Sequence, residues 1–478
     1  MEETEIINLP TDLGLIVAKE LRDNHGINKW EDGSILTFSF SKEELSKIKS
    51  LQIKNPSKGC LEGIDQLPEL RELYIESSKS GEFTPPNKIY SIADKDISCI
   101  EKCVNLETLS IVNQPNITNI DLSKLTNLEE VNISNNINLF TIYDIDKLPK
   151  LSFFTCYGNK SLEEIEGLDK AIIQNKENLS ELNLDVLLFP KAIGYNTGNG
   201  NYNQEAVNAL EYIDYPRGHF KIKWCDNISN FTSTYISHGQ MLNMHNKACQ
   251  ILKDICHSTR IEDTILAVEK YLAENVKYDS DALEHGYQHG EDMGEFRLVD
   301  GRKYGTNSAY NCIMENSCIC EGYTRGEQYL LGLRGIKTRN VACIAQEDTL
   351  GLSDHTKKDD WTTEYQLPKD GYHSIICIVD YYNLYSDPCW NATGDKKNRE
   401  TLTYSLLTKE EISKDHTLSF EERKVKINPY APSRNQVAKS IEDNKLFRNS
   451  RTSQVIEQKG KLQQDVIGIV RGSDGKTY

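Results

Sequence analysis

Over the first 190 residues the apolar positions follow one frame, apolar-x-x-apolar-x-apolar. It recurs at Ile48/Leu51/Ile53, Leu70/Leu73/Ile75, Leu106/Leu109/Ile111, Leu128/Val131/Ile133, Leu151/Phe154/Cys156 and Leu179/Leu182/Leu184. The starts lie 22, 36, 22, 23 and 28 residues apart, a repeat period with an insertion around Ser77 to Ser98 and a looser last turn. Two apolar residues separated by one place alternate as a strand does, so each frame predicts a short strand with one buried edge. One coil cannot bury that edge alone, so the coils are expected to stack. A helix near Thr11 to Arg22, within Asn8 to Phe40, is expected to cap the first coil. Later the period changes to 3.6: Ile261, Ile265, Val268, Leu272 and Val276 predict a helix over Thr259 to Lys277, with Thr259 and Glu262 as its capping box. Between the two, Tyr195 to Tyr235 lacks clear periodicity and reads as a connecting region.

The period of the first half is that of leucine-rich repeats, and Asn136 and Asn159 fall where such repeats bury an asparagine that bonds to the backbone between coils. This half resembles bacterial leucine-rich-repeat modules of the internalin type, a resemblance of architecture that names no ligand. The expected organisation is a solenoid cap at 1–45, repeats at 46–190, a connecting region at 191–243, a second domain at 244–425 and a polar, weakly ordered tail at 426–478.

The second half carries the chemistry. Ser317-Cys318-Ile319-Cys320-Glu321-Gly322-Tyr323 precedes a helical pattern through Tyr329, Leu330 and Leu333 that Gly335 closes, which puts Cys320 at a helix N-terminus. The helix dipole and unpaired N–H groups at such a terminus favour a thiolate. Tyr372 to Val379 reads as a buried strand, Asp380 to Asn383 as a turn, and Leu384 to Ser386 as the returning strand that ends at Asp387-Pro388-Cys389-Trp390. Antiparallel pairing of that hairpin brings His373 beside Asp387 across 14 residues of sequence. A carboxylate beside an imidazole fixes its tautomer and supports its charge, which completes a Cys-His-Asp arrangement.

The helix over Thr259 to Lys277, Tyr278-Asp279, Ser308-Ala309-Tyr310, Cys320-Glu321-Gly322-Tyr323, Gly335-Ile336, His373 and Asp387-Pro388-Cys389-Trp390, in that order, closely resemble the transglutaminase-like superfamily. The segment Leu406 to His416 looks like the one that follows the catalytic aspartate in many bacterial members. The resemblance covers about Ser258 to Phe420. It implies an α+β papain-like, transglutaminase-like domain after an α/β leucine-rich-repeat solenoid. It also implies that Cys320 attacks an amide carbonyl, His373 moves the proton and Asp387 orients His373. The Cys320 N–H and Tyr310 are the oxyanion donors considered. Family members commonly carry His-Ala-Trp-Asn where this chain has His373-Ser374-Ile375-Ile376. The stretch Ala345 to Gly371 is expected to form a lid or substrate wall.

Composition narrows this picture. A net charge of -17 leaves no cationic excess to displace counterions from phosphates, so nucleic acid is not expected as the principal partner. Thirteen cysteines is an odd number on a long chain, unlike a disulfide scaffold, and reduced thiols are expected. The acidic start, Met1 to Glu5, leads into no apolar stretch, so a cytoplasmic or non-classically exported protein is expected, or a secreted one if a signal has been trimmed. No run is long enough to span a membrane. No metal is expected: His285 and His289 sit beside glycines, and Cys318-x-Cys320 is too closely spaced. No cofactor is expected either, since no glycine-rich loop leads into a helix with a lysine. The expected function is thiol-dependent acyl transfer or amide hydrolysis on a protein or peptide, with the repeats binding a protein partner. Transamidation, deamidation and proteolysis stay open, as does the alternative of an inactive binding module that uses the concave face.

Overall fold

The computed structural model describes residues 5–29, 38–78, 90–214, 221–228, 233–280, 296–299, 302–305, 307–345, 372–394, 396–419, 422, 429–432, 436, 437 and 439. The chain forms two compact units, Met1–Gly194 with Asn203–Lys223, and Tyr195–Tyr202 with Trp224–Tyr478.

In the first unit, strands Ile6–Leu9 and Phe38–Ser41 pair antiparallel around the helix Thr11–His25. Leu13, Val17 and Leu21 recur on its buried stripe, and Gly26 ends it at φ 68°. Six strands then lie parallel and in register: Ser50–Lys54, Glu72–Glu76, Thr108–Val112, Glu130–Ser134, Phe153–Cys156 and Glu181–Asp185. The frame explains the register. Leu51, Leu73, Leu109, Val131, Phe154 and Leu182 form one row across the sheet, and all are buried. A one-residue slip would turn that row outward. Three shorter strands, Asn119–Asp121, Thr141–Tyr143 and Glu164–Ile165, make a second parallel sheet.

Buried amides knit the turns that follow the strands. Asn136 Oδ1 accepts from Gln114 N–H at 2.8 Å, and its Nδ2 donates to Ile111 O at 2.9 Å. Asn159 repeats this one step on, to Asn136 N–H and Ile133 O. Gln114 accepts from Ile92 N–H in the same way, while its Nε2 donates to Ser77 Oγ and to Val112 O of its own coil.

The second unit has mixed α/β structure. Its four-stranded antiparallel sheet runs Leu384–Ser386, Tyr372–Ile378, Thr338–Ala345, His416–Leu418. Helices His238–Ile255, Ile261–Asn275 and Cys320–Leu333 accompany it. Val341, Cys343, Ile375, Cys377, Tyr385, Leu407, Ile412 and Leu418 form one core cluster with the sheet. Gly326 lets the cysteine helix approach the turn Asn311–Glu315, because a Cβ there would collide with the Cys312 side chain.

Two sequence expectations change. The helix predicted from Thr259 starts at Ile261 and has Arg260 as N-cap without a side-chain cap bond. Ser258 instead bonds Asp263, and Glu262 pairs with the Arg260 guanidinium, so the capping box does not form. The aperiodic region Tyr195 to Tyr235 holds an 11-residue helix, Gln204–Asp214, and the antiparallel strands Ile222–Ile228 and Ser233–Ile236. Ala206, Val207, Leu210 and Ile213 are the buried stripe of that helix. The expected lid, apart from Ala345, lies outside the described residues, as do His285, His289 and nearly all of the polar tail.

Candidate active site

Cys320 is the first residue of its helix, after Ile319 at ψ -179°. Ile319 has no polar side chain, so no side-chain cap occupies the first-turn N–H groups. The helix is fixed at this end by two hydroxyls. Tyr323 donates to Val276 O at 2.8 Å. Thr324 Oγ1 lies 3.2 Å from Cys320 O and 3.1 Å from Ser374 O, which ties the cysteine turn to the backbone beside His373.

His373 sits in the strand Tyr372–Ile378, opposite Cys343. Asp387 follows the strand Leu384–Ser386, where the chain turns into the short helix Pro388–Thr393. Pro388 cannot donate and suits the first helical position, so Asp387 becomes the N-cap and accepts from Trp390 N–H at 3.0 Å through Oδ1. Its other oxygen, Oδ2, lies 2.8 Å from His373 Nε2. Behind it, Asp387 N–H donates to Tyr404 O at 2.8 Å, and Tyr404 N–H donates to Asn391 Oδ1 at 2.9 Å. Asn391 is held in turn by the buried Glu269 at 3.0 Å.

The Cys320 thiol lies near enough to His373 to contribute to the raising of its imidazole. The structure thus brings Cys320, His373 and Asp387 together, with relative exposures of 6%, 7% and 0%. Tyr310, buried at the start of the turn Asn311–Glu315, precedes this group in sequence and packs into the same unit.

The electrostatics follow from burial and pairing. Burial opposes a charged imidazole, but Asp387 and then Cys320 outweigh it and raise His373 to about 10. Burial also opposes the Asp387 carboxylate, yet His373 and His416 hold it well below the usual carboxylate range. Nearby thiols behave differently. Burial pushes Cys318, Cys343 and Cys389 up, and Cys377 up to about 12.

Comparison with known proteins adds likeness without identity. No protein-family model matches the chain, and no curated protein matches it. Among solved structures, a TGase is 13% identical over 35% of this chain and 36% of its own, with a TM-score of 0.25. Internalin InlF of Listeria monocytogenes is 18% identical over 36% of this chain and 62% of its own, at 0.17. Internalin C2 of the same organism is 19% identical over 38% of this chain and 90% of its own, at 0.22.

Two further side chains adjoin the site that sequence reasoning had not assigned to it. His416 Nε2 lies 3.1 Å from the same Asp387 Oδ2, and its Nδ1 lies 2.8 Å from Asp415 Oδ1. Its place in the Leu406 to His416 segment was the available signal; its partner was not readable from spacing. Trp390, part of the aspartate motif, lies beside both rings, 5.7 Å from His373 and 4.3 Å from His416. Among the described residues, His373, Asp387 and His416 are the group whose donor atoms converge closely enough, within 4.8 Å, to suit a metal ion. Those atoms are engaged with one another, so the arrangement reads first as a hydrogen-bonded relay.

Proposed function

We propose that the protein is a transglutaminase-like cysteine enzyme that transfers or hydrolyses acyl groups of protein or peptide amides, with Cys320 as nucleophile, His373 as acid and base, and Asp387 as the orienting acid. The observation that carries this reading is the Asp387 Oδ2 to His373 Nε2 bond of 2.8 Å, with Cys320 at a helix N-terminus near enough to bear on the same imidazole.

The Cys320 thiolate attacks the amide carbonyl carbon, and the new C–S bond leaves a tetrahedral oxyanion. The backbone N–H of Cys320, with Tyr310 as a second donor, stabilises that charge. Collapse breaks the C–N bond, and the leaving amine takes the His373 proton. A thioester remains. Water or a primary amine then attacks it, giving its proton to His373 as the C–S bond breaks. Water yields deamidation or peptide cleavage, and a lysine amine yields a cross-link. The inward rows Leu51 to Leu182 and the amide ladder through Asn136 support a leucine-rich-repeat solenoid for the first unit, with its open face as the surface for a protein partner.

The test incubates protein substrates with a labelled primary amine, alongside a Cys320→Ala control. Amine incorporation that vanishes in the control supports transamidation. Ammonia or new termini without incorporation support hydrolysis. Absence of both, with no preferential alkylation of Cys320 by iodoacetamide, would leave only the binding module.

A further inference from the structure

The carboxylate behind His373 serves two imidazoles. Its Oδ2 lies 2.8 Å from His373 Nε2 and 3.1 Å from His416 Nε2, and Asp415 Oδ1 lies 2.8 Å from the far nitrogen of His416. A ring with a carboxylate oxygen at each nitrogen needs an N–H on both, since a bare nitrogen would set lone pair against lone pair. His416 is therefore an imidazolium. It is fully buried, where salt screens little, and its ring centre is 5.6 Å from that of His373. The ring centre of Trp390 lies 4.3 Å from that of His416, with the two planes tilted by 51°.

Building on the Cys320–His373 reading, we infer that His416 is a positioning residue: it anchors Asp387 with a second hydrogen bond, and its charge limits how tightly Asp387 holds the proton on His373. The chemistry needs such a limit. His373 must give its proton to a leaving amine, and an undivided buried carboxylate would hold the imidazolium too firmly. The polar groups around His416 are Asp387, Asp415, His373 and the Tyr404 hydroxyl, which donates to Asp415 Oδ2 at 3.1 Å. Those around His373 are Asp387, Cys320 and His416, with the Cys343 thiol on the His373 carbonyl and Cys389 and Glu327 close to Asp387, all three held neutral by burial. With Asp387 counted against His416, the local balance changes by one full charge when His416 is neutral.

The measurement is the pH profile of Cys320 alkylation by iodoacetamide in the full chain, with Cys320→Ala as the blank. His416→Gln keeps a donor near the position of Nε2 and removes the charge. Its profile is expected to move to higher pH by about one unit, the low end of what a charge 4–6 Å away does. Asp415→Asn, at a partly exposed site, weakens the imidazolium without truncating it and is expected to move the profile the same way by less. Rates that change uniformly while both profiles stay in place would mean His416 only packs, and would overturn the inference. If Cys320 of the unsubstituted protein is not alkylated ahead of the blank, the triad reading itself fails and takes this inference with it. A moved profile in either variant, with the unsubstituted Cys320 reactive, supports both.

Discussion

His373 carries a charge that burial alone would deny it, and that makes it a residue whose protonation is linked to folding. Its folded value, about 10, is raised above the ordinary value near 6.5. A raised group stabilises the fold fully below its unfolded value, and the contribution is lost as pH rises through the folded one. His416 is raised as well, against its burial, by Asp387 and Asp415. The melting temperature is therefore expected to fall between pH 6.5 and 8, below the range where unfolded cysteines ionise. In Cys320→Ala, where no thiolate offsets the imidazolium proton, the fall should shrink on adding His373→Gln. Burial drives His238 and His245 the other way, to about 4, and the difference between the single and double variants cancels them. Calorimetry across this window checks the sign; an unchanged slope in the double variant would mean that His373 enters folding uncharged.

At the scale of elements, the amide ladder and the apolar rows hold the first unit by different means. The rows supply burial, and Asn136 satisfies Gln114 N–H beyond the end of its strand and adds a bond to Ile111 O. Asn136→Ala leaves Gln114 N–H unpaired in the interior and is expected to cost about 1–3 kcal/mol. Asn136→Asp keeps the acceptor but buries a carboxylate against Ile111 O and should cost more than the alanine, with denaturant unfolding as the measure. The rows were legible in the sequence because a strand alternates with period two and the frame repeats, so Leu73 and Ile75 declare their own burial. Asn136 and Asn159 were legible from their offset to the frame. Gln114 fills the same role with one more methylene, and a search for asparagine passes over it. The Leu384–Ser386 strand and the cysteine helix were readable from local pattern, as was the pairing of His373 with Asp387 through a short hairpin. Thr324 and His416 were not. Each acts through a contact 29 to 50 residues away in sequence, which no local period encodes. The helix Gln204–Asp214 was missed because the glycine and asparagine run before it masked a short stripe.

On the scale of the whole molecule, the chain joins a large acidic surface charge to an interior full of thiols. All thirteen cysteines are free, and Cys99 and Cys249 are the two that are only partly buried. No cross-link lowers the entropy of the unfolded chain, so stability rests on packing, on the amide ladder and on partly buried pairs such as Arg339 with Glu422. Reducing agent should then leave the unfolding midpoint unchanged. Burial raises Cys60 and Cys103 to about 12 and makes such thiols poor nucleophiles until the structure opens. Ellman's reagent at pH 8 should accordingly react first with Cys320 and the partly buried Cys99 and Cys249, and with the other ten only as the protein unfolds. In guanidinium the count should be thirteen. Cys320→Ala should remove one equivalent from the early phase, whereas a count below thirteen in denaturant, or a midpoint that drops with reductant, would reveal a cross-link and require another account of how this interior is held.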